Sequence, residues 1–234
     1  DGESEVPVSL EIRDATGKVL TAFSSDSIPS GQTGPQRDMG TNFTEYLVSG
    51  ALTKHRGLNR FRWDMSTAGP WTPNENRRYR NGPMAGPGSY TAVLSRGSVK
   101  SSQTFELLMD PRVEAAGVTA SAVGQQLQFQ RAIRDRLSEA YRFQESVETE
   151  IKTLKAKTPL SKPDETRLAT LEAVYSKLHT EEGIYMQPML VDQWRYLYSM
   201  MNQADQVPGK DALDRFEVLS AQLEALKKEL GQKP

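Results

Sequence analysis

Phe105-Glu-Leu-Leu-Met-Asp-Pro-Arg112 is the stretch on which the fold turns. Up to Met109 the apolar residues Phe105, Leu107 and Met109 fall at alternate positions, the period of a half-buried strand. Beyond Pro111 they recur every three or four residues, the period of a helix with one buried stripe. The Asp-Pro pair between the two patterns stops a strand and opens a turn.

Upstream, Val6, Val8, Leu10 and Ile12 alternate with polar residues or Pro. The turn Asp14-Ala-Thr-Gly17 leads into a second apolar run, Lys18 to Phe23, and so predicts a hairpin. Alternation returns at Leu58 to Met65, with Phe61, Trp63 and Met65 on one side. It returns again at Tyr90, Ala92 and Leu94, reverses at Arg96-Gly97, and ends with Phe105, Leu107 and Met109. The stretch 24–57 is rich in Ser, Gly, Pro, Asp and Thr and shows no period, and 66–88 is a second irregular stretch. Five or more short strands without intervening helices predict an antiparallel, immunoglobulin-like β-sandwich at residues 1–117.

Downstream, a helix is expected over about 122–157, with Val123, Leu127, Ile133, Leu137, Tyr141, Val147, Ile151 and Leu154 inward. Ser161-Lys-Pro-Asp164 starts a second helix that carries Leu168, Leu171, Val174 or Tyr175, and Leu178, and Gly183 follows its end. A third is expected over 188–206, with Leu190, Trp194, Leu197, Met201 and Ala204 inward. The fourth spans 211–230 with Phe216, Leu219, Leu223, Leu226 and Leu230 inward. Residues 118–234 therefore read as an antiparallel bundle of about four long helices, and the whole chain as an α+β, two-domain protein.

Composition excludes several functions. With 29 Lys plus Arg against 30 Asp plus Glu, there is no basic excess for a phosphate backbone, which argues against nucleic acid. No apolar run approaches the ~20 residues of a membrane span. A chain opening on Asp1 fits a piece cut from a larger protein. The absence of cysteine removes thiolate chemistry, disulfides and cysteine-based zinc sites.

The two histidines, His55 and His179, have no second ligand at helical spacing, so no metal site and no cofactor is assigned. No nucleophile elbow or phosphate loop occurs. Asp14 and Asp64 sit at turns, where a carboxylate caps backbone N–H groups. Trp63 and Tyr90, in phase with apolar neighbours, are read as core. Trp71, in Gly69-Pro-Trp-Thr-Pro73, and Tyr79 are the candidate ligand contacts, because a loop aromatic can stack on a saccharide. No catalytic residue is assigned.

Three stretches carry a resemblance: Val8-Ser-Leu-Glu-Ile-Arg-Asp-Ala-Thr-Gly-Lys-Val-Leu20, Gly57-Leu-Asn-Arg-Phe-Arg-Trp-Asp64 and Gly86-Pro-Gly-Ser-Tyr-Thr-Ala-Val-Leu94. In this order they resemble the immunoglobulin-like module of the flagellar hook-capping type. Continued through Asp110-Pro-Arg112 to Gln187-Pro-Met-Leu-Val-Asp-Gln-Trp-Arg-Tyr-Leu-Tyr198 and Ala204-Asp-Gln-Val-Pro208, the chain resembles the C-terminal region of bacterial sortilin-like, BNR-repeat β-propeller proteins, often labelled glycosyl hydrolases. The resemblance implies an extracytoplasmic, non-catalytic structural and interaction module whose partner is the adjoining propeller. A carbohydrate-binding module using Trp71 and its neighbours is the alternative, and an accessory part of a glycoside hydrolase the third. The long loops 24–57 and 66–88 depart from the compact module.

Overall fold

The structure is a computed structural model that describes residues 6–25, 52–74 and 81–231. It contains a four-stranded antiparallel sheet followed by helices, so the coarse α+β class is observed. The strands are β1 (Val8–Asp14), β2 (Val19–Ser24), β3 (Gly88–Arg96) and β4 (Val99–Leu107), in the spatial order β2-β1-β3-β4. The helices are α1 (Pro111–Ala115), α2 (Ala120–Lys155), α3 (Lys162–Leu178), α4 (Leu190–Met200) and α5 (Lys210–Glu229).

The hairpin β1-β2 closes on Asp14, whose Oδ1 accepts from the backbone of Thr16 at 2.9 Å and of Lys18 at 3.1 Å. Register places Ile12 opposite Ala92 and Asp14 opposite Tyr90, with Phe105 on Tyr90's other side. That face buries Ile12, Leu20 and Tyr90. Directly opposed residues share a face, so Glu11, Arg13, Thr91, Val93, Ser102 and Thr104 fall on the other.

The expected strand at 58–65 is corrected. These residues form no ladder, and only an isolated bridge, Ser66 to Met84, follows them. Their alternation serves packing: Phe61 lies 4.6 Å from Phe23, and Trp63 meets Tyr90 and Phe105 edge-on at 6.2 Å. Trp63 itself is half-buried, not core, because its indole reaches the rim to donate to the carbonyl of Ser66 at 2.9 Å. Residues 26–51, the bulk of the first long loop, lie outside the described residues.

The chain divides into two compact units, and the division is not one cut near 117. One unit comprises residues 1–68 and 84–114; the other comprises 69–83 with 115–234. Much of the second long loop thus belongs with the helices.

In the helical unit, α2 is 36 residues long, roughly 54 Å at 1.5 Å per residue. Thr119 caps its start, accepting from the Ala122 N–H at 3.1 Å. Ile133, Leu137, Ala140, Phe143, Val147, Ile151 and Leu154 of α2 are buried, at steps of three and four. They meet Leu171, Val174 and Leu178 of α3, Trp194 and Leu197 of α4, and Leu219, Leu223 and Leu226 of α5 in one core. Val174, not Tyr175, is the buried member of that pair.

Three inward assignments need correction. Val123 and Leu127 are only half-buried, and the buried positions of α2's first turns are Gln126 and Gln130, whereas Tyr141, Leu168 and Phe216 are half-buried but pack against the core. The third helix is shorter than the expected 188–206, and Ala204, beyond its end, is exposed. At the end of α4 and at the start of α2 alike, side-chain amides take the place of helix hydrogen bonds and apolar packing.

Candidate functional site

Gln126 and Gln130 stand one turn apart on α2 and point at the C-terminal end of α4. The Nε2 of Gln126 donates to the Met201 carbonyl at 2.8 Å and to that of Ala204 at 2.5 Å. Its Oε1 accepts from the Gln206 N–H at 2.8 Å. Gln130 Nε2 donates to the same Met201 carbonyl at 2.6 Å and to Asn202 Oδ1 at 3.1 Å. A helix end leaves its last carbonyls unbonded, and here two buried amides supply the missing donors. The segment 201–206 can therefore leave helical geometry without stranding buried polar groups.

This held segment forms one wall of an open groove of about 970 Å³. The floor is α4, with Tyr196 and Met200 on its outer side and the core residue Leu197 beneath them; the far wall is Tyr185, Met186 and Pro188, and the start of α5 closes the end with Asp211, Ala212 and Arg215. Apolar side chains stand exposed here: Tyr185 fully, Tyr196 at 68% and Met200 at 44%. Polar contacts set the rim. Arg195 pairs with Asp192 at 2.6 Å, Arg215 donates to Gln193 Oε1, and Gln193 Nε2 donates to the Pro188 carbonyl at 2.6 Å. Thr180 Oγ1 accepts from the Met189 N–H at 2.8 Å and ties the far wall to the start of α4.

A second groove of about 670 Å³ is lined by His179, Met186, Met189, Gln193 and Leu226, among others, and so shares the 186–193 segment. On the sheet unit, a shallower depression of about 430 Å³ lies on the polar face, over Arg13, Thr91, Lys100 and Ser102.

Trp71 belongs to the helical unit. Its backbone N–H donates to Ser138 Oγ on α2 at 2.9 Å, and the Arg142 guanidinium lies 5.1 Å from its ring centroid. Ser138 in turn donates to the Arg134 carbonyl at 2.8 Å, so its lone pair is aimed outward. The other end of the same strap is held by Tyr198 of α4, whose hydroxyl donates to the Asn81 carbonyl at 2.7 Å. Burial raises the Tyr198 phenol well above its usual pKa, which keeps that donor protonated. Tyr79, the other candidate contact, lies outside the described residues.

Of the remaining expectations, Asp64 caps the backbone of Ser66 at 2.9 Å. His179 ends α3, stacked on Tyr175 at 5.0 Å. His55 sits exposed in a loop, its N–H bonded to Asn59 Oδ1 at 3.1 Å. Among the described residues no group of three or more His, Asp or Glu is placed to hold a metal, and no helix is long and apolar enough to cross a membrane.

A further cluster crosses from α2 to α5. Arg136 lies 2.8 Å from both Glu139 and Glu224, and the ammonium of the buried Lys227 contacts Glu139. Burial works to raise the Glu139 carboxyl, and the hydrogen bonds from Lys227 and Arg136 outweigh it, holding the group below its usual range. Two cations matched to two carboxylates make this a fastening between helices, in which only Glu224 Oε2 is buried without a hydrogen bond.

Sequence reading missed Gln126 and Gln130 because a glutamine in a helix is normally solvated. The signal was present, since both fall on the same turn-to-turn row as Ile133 and Leu137. Comparison with protein families, with curated proteins and with solved structures finds no match to this chain.

Proposed function

We propose that the chain is a non-catalytic structural and interaction module of an extracytoplasmic protein, and that it packs on an adjoining β-propeller of the sortilin-like, BNR-repeat kind. The finer architecture belongs to the same reading: an immunoglobulin-like sandwich followed by an antiparallel four-helix bundle, closed by the short connections after α2, α3 and α4. The observation that carries it is the groove beside α4. Exposed Tyr185, Tyr196 and Met200 form an apolar strip with a polar rim, the composition of a protein contact surface more than of a small-ligand cavity. The strip is also braced from behind, because Gln126 and Gln130 hold one wall in place, and a preorganised surface loses less entropy on binding.

Trp71 is a weaker candidate for the carbohydrate reading, since Arg142 occupies one side of its ring and its backbone is fastened to α2. A parent protein with glycosyl-hydrolase chemistry would carry that chemistry in the propeller.

The test is binding in trans. The propeller expressed separately should form a one-to-one complex with this chain, read by calorimetry. Tyr196→Glu with Met200→Glu should weaken it at least tenfold, about 1.4 kcal/mol, with the unfolding midpoint unchanged. Binding indifferent to both substitutions, or saccharide binding on a glycan array that disappears with Trp71→Ala, would replace this reading.

A further inference from the structure

β4 is an edge strand whose outer side bonds to no other strand among the described residues. The opposite edge differs. There the Leu52 N–H bonds the Ser24 carbonyl at 3.3 Å, the Ala68 N–H bonds the Leu20 carbonyl at 3.2 Å, and the β1-β2 ladder is broken by a register shift at Ile12/Arg13. Such coverings and irregularities protect an edge from pairing with another chain. On β4 the Gln103 side-chain amide donates to the Thr104 carbonyl at 3.1 Å, a bond that a pairing strand would displace; otherwise neither device occurs among the described residues, since its nine residues pair with β3 in one unbroken register and it contains no Pro.

The direction of its backbone groups follows from the turn. β3 and β4 are joined by Gly97-Ser98 alone, with Gly97 at φ 57°, so the closing pair Arg96–Val99 is a hydrogen-bonded one. Bonded pairs alternate along an antiparallel ladder. Val99, Ser101, Gln103, Phe105 and Leu107 therefore spend their backbone groups on β3. Lys100, Ser102, Thr104 and Glu106 direct theirs outward.

We propose that this edge pairs with the same edge of a second copy, antiparallel about a two-fold axis at Gln103. In that register each outward residue meets an outward residue, which is the condition for forming the ladder: Lys100 faces the second copy's Glu106, and Ser102 its Thr104. Both charged side chains are exposed and fall on one sheet face with Thr91 and Val93, so the two-fold makes two opposite-charge cross-strand pairs and no like-charge pair. On the other face, Val99, 69% exposed, comes opposite the second copy's Leu107. Shifting the register by two residues in either direction keeps the parity but takes Lys100 away from Glu106. The edge is thus self-complementary in charge in one register, as an isologous interface requires, and the product is a continuous eight-stranded sheet.

Sedimentation of the full chain from micromolar to near-millimolar concentration should show a reversible monomer–dimer equilibrium. Lys100→Glu or Glu106→Lys alone should weaken it about tenfold. The double swap Lys100→Glu/Glu106→Lys should restore it to within about threefold of the parent, because the pairs re-form with reversed sign. Ser102→Pro deletes an outward N–H without touching the β3 ladder, so it should abolish the dimer while circular dichroism keeps its sheet signal. A chain monomeric at every concentration, a dimer that survives Ser102→Pro, or a double swap weaker than both single variants overturns the proposal.

Discussion

The side-chain amide of Gln126 donates to the main-chain carbonyl of Met201, 75 residues away, at 2.8 Å in the interior of the helical unit. One side chain thereby ends α4, shapes the 201–206 segment through its further bonds to Ala204 and Gln206, and sets a wall of the groove.

Gln126→Leu keeps the volume and removes the bonds, so it should destabilise the helical unit by about 1–3 kcal/mol, the cost of leaving buried partners unpaired. Gln126→Glu should cost more at neutral pH, because a carboxylate cannot donate and would face two carbonyl oxygens. The introduced carboxyl would have its folded-state pKa raised above its unfolded one. Its stability contribution is then intact below the unfolded value and is lost as pH rises through the folded one, so the Gln126→Glu variant should recover in mild acid. Urea melts across pH, with hydrogen exchange at 201–206, measure both. A Leu variant as stable as the parent would mean that the amide contributes nothing.

Tyr198→Phe removes the donor to the Asn81 carbonyl and the phenol's contact with the Asn202 side chain, and keeps the ring. A loss of about 1 kcal/mol is expected, with faster amide exchange at 69–74 and 81–83 and no change in the sheet unit. Exchange that quickens equally across β1 to β4 would contradict the assignment of the strap to the helical unit.

Trp71→Ala and Arg142→Ala should each cost about 1 kcal/mol, with a coupling of about 0.5–1 kcal/mol in the double-mutant cycle. Trp63→Ala acts on the other unit, through its edge-on contacts with Tyr90 and Phe105. Because Trp63 is half-buried, about 2–3 kcal/mol is expected in place of a full core loss. Zero coupling between Trp71 and Arg142 would show that their proximity has no energetic content.

Asp110 accepts from the Arg112 guanidinium at 2.6 Å and from the Arg112 backbone at 2.8 Å, and these bonds lower its carboxyl to about 2. A depressed carboxyl stabilises the folded state above its unfolded pKa of 3.8, and the effect fades as pH falls through about 2. Carbon-detected NMR titration should place its midpoint near 2, and Arg112→Ala should move it up towards the ordinary carboxylate range. A midpoint already in that range in the parent chain would show that the pair is open in solution.

The change of period at Asp110-Pro111 is written in the residues themselves, because alternation and helical spacing are properties of which side chains can reach one face of a single segment. The same holds for the Asp14 turn, the cap at Ser161, and the stripes of α2, α3 and α5, most of whose apolar members are the ones buried. Residues 58–65 show where local reading ends. Alternation states that every second side chain is sheltered, and it does not state whether the backbone is bonded in a ladder or merely lies over one.

Tertiary structure alone decided the groove. Its wall depends on Gln126 and Gln130 meeting carbonyls that only the end of another helix could present, and nothing in the residues flanking either glutamine announces that partner. It also decided where Trp71 went. The flanking Gly and Pro mark a loop, but whether that loop covers the sheet it interrupts or a helix 67 residues later depends on which surface offers Ser138 and Arg142 at the right distance. Pattern within a segment is set by local geometry, whereas the destination of a polar side chain or a loop is set by which distant groups remain unsatisfied once the apolar faces have closed.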